Sequence, residues 1–125
     1  MKLSFLEHFY HDVEIKSVTY QFSKEDGSNS IEFYLSEMDD DENVMECTCS
    51  FVDVYESFSL LAHNIYGSMF IMEAKVDNYD EWFISYLKKN EAHYSKEILE
   101  SLKCYIINTT NGALKIISSS DIKVS

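Results

Sequence analysis

The chain has 125 residues, 46% of them apolar and 14% aromatic, with a formal charge of −12 at neutral pH. That length suits one domain with one hydrophobic core, expected here to span residues 1–125, and that apolar content separates the chain from disordered acidic tails. Its ten basic residues are all lysines, so the planar fork that grips phosphate is missing, and the charge disfavours direct nucleic-acid binding, which needs a basic patch.

The opening stretch "MKLSFLEHFYHD" sets Glu7, His8 and Asp12 among its apolar residues. That argues against a secretory apolar core, and no run approaches the roughly 20 apolar residues of a membrane span. A cytoplasmic location is the expectation. Leu3, Phe5, Leu6, Phe9 and Tyr10 fall on one face of a helix over 2–11, with Ser4 and Glu7 as a capping box. Residues 13–22, "VEIKSVTYQF", read as a strand with Val18, Tyr20 and Phe22 on one side and Ile15 out of phase, as a β-bulge or a change of face would leave it. Asp26 and Gly27 suit a turn. In "SIEFYLSEM", residues 30–38, Ile31, Phe33 and Leu35 alternate with Glu32, Tyr34 and Ser36, the pattern of a half-buried antiparallel strand. The run "DDDEN" then forms a hairpin tip, after which Met45, Cys47, Cys49 and Phe51 alternate with Glu46, Thr48 and Ser50.

Residues 53–65 fit a helix or a strand, and the strand, with Phe58, Leu60 and Ala62 inward, is the preferred reading. Another strand follows over 68–76, with Phe70, Met72, Ala74 and Val76 on its inner face. Asn78 with Glu81 marks a helix start, and Trp82, Phe83, Tyr86 and Leu87 recur at helical spacing ahead of Lys88 and Lys89, which favour a helix C-terminus. Ile98, Leu99 and Leu102 suggest one or two more helical turns. The last unit, "LKCYIINTTNGALKIISSS", reads as a hairpin that turns at Asn111 and Gly112 in a type I′ geometry. The expected fold class is α+β: a mostly antiparallel sheet of about five to six strands, an N-terminal helix, and one or two helices over about 79–102 on one face.

Few chemical constellations survive inspection. The three cysteines are odd in number, and Cys47 and Cys49 stand too close for a disulfide framework, so buried free thiols are expected. His8, His11 and Asp12 lack zincin spacing, and Cys47, Cys49 and Met45 lack a second ligand pair. "DDDEN" has neither the glycine nor the distal glutamate of an EF-hand loop. No nucleophile elbow appears, and Gly27, Gly67 and Gly112 are too far apart for a phosphate loop. The expectation is a protein that is not an enzyme and has no metal and no cofactor. The alternatives are a small enzyme or ligand-binding domain with a pocket near Trp82, Tyr86 or Cys104, or a subunit whose charge only maintains solubility.

The charge is unevenly placed. Residues 25–74 hold twelve acids and no lysine, whereas the remainder holds ten of each and is neutral. One central segment therefore carries the whole net charge and must attract cationic surfaces. The succession "HDVEIKSVTYQF", "SIEFYLSEM", "CSFVDVYESF", "MFIMEAKV" and "CYIINTTNGALKII" resembles small bacterial immunity-type proteins, which neutralise the toxin domains used in contact-dependent competition. The resemblance implies a non-catalytic inhibitor that meets a basic protein, such as a cognate toxin domain, as a monomer or homodimer. The candidate partner-binding residues are Glu37, Asp39, Asp40, Asp41, Glu42 and Glu46, with Tyr34 and Tyr55 as aromatic anchors.

Overall fold

A computed structural model describes residues 13–22, 28–38, 40–61 and 68–125. They form eight strands and two short helices: β1 (Val13–Phe22), β2 (Asn29–Met38), β3 (Val44–Phe51), β4 (Val54–Leu61), β5 (Met69–Val76), α1 (Glu81–Asn90), α2 (Lys96–Ser101), β6 (Lys103–Thr109), β7 (Gly112–Ser118) and β8 (Lys123–Val124). The strands pair antiparallel throughout, in the order β4-β7-β6-β5-β1-β2-β3-β8. This corrects the expected α+β domain of five to six strands, because the described residues are dominated by one eight-stranded antiparallel sheet with only two short helices. The predicted helix over 2–11 lies outside the described residues. No helix among the described residues is long and apolar enough to cross a membrane.

The sheet cannot lie flat. β3 and β4 are consecutive in the chain but six places apart in the sheet, about 29 Å at normal strand spacing. The link between them, Val52 and Asp53, reaches only about 10 Å. The sheet therefore rolls until its two halves face each other, and Phe51 of β3 meets Tyr105 of β6 with ring centroids 5.2 Å apart. Val13, Ile31, Phe33, Leu35, Cys49, Ile107, Leu114 and Ile116 fill the space enclosed. A row of serines fastens the corner. Ser118 Oγ donates to the Val52 carbonyl, Ser120 Oγ donates to the Asp53 carboxylate, and the Ser119 amide donates to the Asp53 carbonyl at 3.3 Å, while Asp53 takes a positive φ of 51°.

Of the two readings of Ile15 in β1, the bulge is the one present, as a register shift between Ile15 and Ser17. Two inward assignments need correction, each because a bulge changes the phase of a strand. In β5 the shift between Ile71 and Glu73 lets both Ile71 and Ala74 face inward and leaves Met72 exposed, while Val76, in phase with Ala74, is exposed at the end of the strand. Residues 54–61 are a strand as expected, but the shift between Val54 and Glu56 sends Phe58 toward the helix side, where it meets Trp82 at 5.7 Å, and leaves Leu60 exposed. Ala62 lies outside the described residues.

The helices pack on the outer side of β6 and β7. Phe83, Tyr86, Leu102, Cys104, Ile106 and Ile117 form a second core there, so these two strands are covered on both faces. The α1 N-cap is Asp80 in place of the expected Asn78: its carboxylate accepts the Phe83 amide at 3.1 Å. Asn78 instead accepts the Cys104 amide at 3.3 Å. The final hairpin turns one residue earlier than expected, at Thr110 and Asn111. A type I′ turn requires positive φ at both central residues, and neither has it. The positive φ, 122°, falls on Gly112 at the head of β7, where β4 passes so close that a Cβ would lie 2.0 Å from the Leu60 carbonyl oxygen.

Candidate functional site: the acidic face of the β2–β3 hairpin

Alternation along β1, β2 and β3 divides their side chains between two environments. The inward set is the core just described. The outward set contains Glu14 and Ser17 from β1, Glu32, Tyr34, Ser36 and Met38 from β2, and Val44, Glu46 and Thr48 from β3. Among the described residues nothing packs on this face, since both helices lie over β6 and β7. Its register places Ser17, Tyr34 and Thr48 in one row, and Glu14, Ser36 and Glu46 in the next.

Tyr34 donates its hydroxyl to Glu46 across the hairpin, and that bond raises the phenol above its ordinary range, so Tyr34 stays a neutral donor. Glu14 is held below its usual range by Lys16, whose Nζ lies 2.9 Å away, and by Ser68. Met38 and Val44 face each other where the hairpin meets its tip and are 52% and 57% exposed, an apolar pair beside the acids. At the tip Asp40, Asp41 and Glu42 are exposed, and Glu42 adopts a left-handed φ of 63°. The face thus has apolar and aromatic contacts at its centre with carboxylates around them, the anatomy of a protein-binding patch.

The expected site residues separate. Tyr34, Asp40, Asp41, Glu42 and Glu46 share this hairpin; Asp39 lies outside the described residues. Glu37 does not share the face. It continues the inward phase of Phe33 and Leu35, is 5% exposed, and its Oε2 has no hydrogen-bond partner. Tyr55 stands with the helices, its ring 5.6 Å from that of Tyr94, whose hydroxyl lies 3.1 Å from that of Tyr86. Sequence reasoning left out Met38 and Val44, although the outward phase of Tyr34 and Glu46 extends to both of them.

Other chemistry finds little support in the arrangement. No group of three His, Cys, Asp or Glu side chains among the described residues is placed to hold a metal ion. Cys47, Cys49 and Cys104 are buried free thiols. Burial pushes Cys49 and Cys104 up to about 12, and burial with the charge of Glu37 raises Cys47. Around Trp82, Tyr86 and Cys104, the place of the alternative pocket, the side chains pack against one another. Open grooves lie elsewhere: one of about 390 Å³ between α1 and α2 over Ile84, Leu87 and Leu99, and one of about 190 Å³ between the far end of the β1–β2 hairpin and β4, lined by Tyr20, Phe22 and Tyr55. Comparison with protein families, with characterised proteins and with solved structures found no match to this chain.

Proposed function

We propose that this protein is a non-catalytic binding protein, cytoplasmic and of the immunity type, that neutralises a cationic protein domain by covering it with the outer face of the β2–β3 hairpin. One observation carries the reading: the face that no other described residue covers sets Tyr34, Met38 and Val44 among Glu14, Glu32, Glu46 and the tip residues Asp40, Asp41 and Glu42. The apolar side chains supply contact area, and the carboxylates steer a basic surface into register. The lack of arginine and the negative field turn the same face away from nucleic acid itself.

The test is a titration of the protein against the product of the adjacent gene at rising salt. Binding that weakens steeply with salt, and that falls about 100-fold when Asp40→Lys and Asp41→Lys are combined, supports the reading. Tight binding indifferent to both changes would sink it.

A further inference from the structure

We propose that the partner's contact includes strand addition: an extended cationic segment pairs with the open edge of β3 at Val44 and Glu46. This rests on the acidic-face reading above and specifies how the face is occupied. β8 covers only part of the outer edge of β3. It pairs at Cys49 and Ser50, and Ser125 then closes the ladder on Thr48, with the Thr48 amide 2.7 Å from the Ser125 carbonyl and the Ser125 amide 2.9 Å from the Thr48 carbonyl. In an antiparallel ladder the outward-bonding residues recur every second position. Thr48 bonds outward, so Glu46 and Val44 also aim their N–H and C=O groups away from β2, and no described backbone group meets them.

The edge carries no lysine and no proline, the usual guards of an exposed strand. It is guarded by charge sign instead. A second copy pairing antiparallel here would bring Glu46 beside another Glu46, which disfavours self-association. A strand bearing Lys or Arg on its outward phase would instead lie beside Glu46 and the tip residues Asp41 and Glu42 while its backbone completes the ladder. Main-chain bonds then supply a general contribution to affinity, and the carboxylates select for positive charge.

The probe is an acetylated, amidated heptapeptide of alternating lysine and valine, compared with the same peptide N-methylated at alternate residues, which keeps the charge but removes the edge-facing N–H groups. Isothermal titration should show the unmethylated peptide binding about tenfold or more tightly than the methylated one, and its complex should slow hydrogen exchange at the Val44 and Glu46 amides. Val44→Pro removes an edge donor at the first position of an edge strand, where proline is tolerated, and leaves every carboxylate in place; it should abolish the difference between the peptides. If that variant does not fold, the methylation comparison and the exchange data on the unaltered protein decide. Equal binding of both peptides, lost on combining Asp40→Asn with Asp41→Asn, would overturn strand addition while leaving the acidic-face reading standing. Binding of neither peptide would overturn both. A dimer in sedimentation that Val44→Pro dissolves would overturn the proposal in favour of a second copy.

Discussion

Lys115 Nζ lies 2.6 Å from Asp80 Oδ1, joining the middle of β7 to the residue that caps α1. Asp80 thus serves two elements at once, accepting the Phe83 amide at the helix start and pairing with a lysine on the sheet below. Burial opposes its charge, but Lys115 and the amides of Phe83 and Trp82 outweigh it and hold the carboxyl below its ordinary value. A carboxylate lowered on folding contributes stability that is present above its unfolded pKa and lost as pH falls through the folded one. Asp80→Ala should therefore cost about 1–3 kcal/mol near neutral pH, and urea unfolding should show the gap from the parent protein closing below about pH 4.

Gly112 tests how closely β4 is seated. An alanine there would need a left-handed backbone and would drive its Cβ into the Leu60 carbonyl. We expect Gly112→Ala to destabilise by about 2 kcal/mol or more, read as a lower Tm, with faster hydrogen exchange along β4 than along β2. Unchanged exchange in β4 would contradict the close approach.

Glu37 occupies a core position with an unpartnered oxygen. A buried polar group without a partner costs more than an apolar side chain of similar volume. Glu37→Met should therefore raise stability, by about 1–3 kcal/mol in chemical denaturation, and leave affinity for a cationic partner unchanged, since Glu37 is not on the binding face. A loss of affinity without a loss of fold would return Glu37 to the site.

The thiols offer a further check. Burial raises all three, most strongly Cys49 and Cys104, so none is a ready nucleophile. In the native protein at mildly alkaline pH an aromatic disulfide reagent should react with Cys47, Cys49 and Cys104 far more slowly than with free cysteine, and denaturant should release all of them together. Fast reaction of one thiol in the native state would show an opening the packing does not.

Much of the fold was legible where alternation was clean. β2 and β3 repeat a two-residue pattern without interruption, and their buried side, including Ile31, Phe33, Leu35, Cys47, Cys49 and Phe51, is the one the pattern names. Legibility failed where a bulge shifts the phase. Met72 and Leu60 are apolar residues placed outward by register shifts that no local residue announces. The N-cap was misplaced for a similar reason: Asn78 and Asp80 are both good caps, and only Lys115, distant in the chain, selects between them. For the site, composition located the charged segment, but the assignment of Glu37 to the surface overlooked its phase, which is that of Leu35 and not that of Tyr34.

The corner at Val52 and Asp53 governs how the molecule comes apart. It ties together strands that lie six places apart in the sheet, and the bonds from Ser118, Ser119 and Ser120 close on it from the far half. Among the described residues only three pairs join β1 to β5 at the middle of the sheet, so the halves would separate there were they not clasped at the rim. The clasp makes each half the template for the other, and unfolding should be a single cooperative event whose late folding step is the closing of this latch.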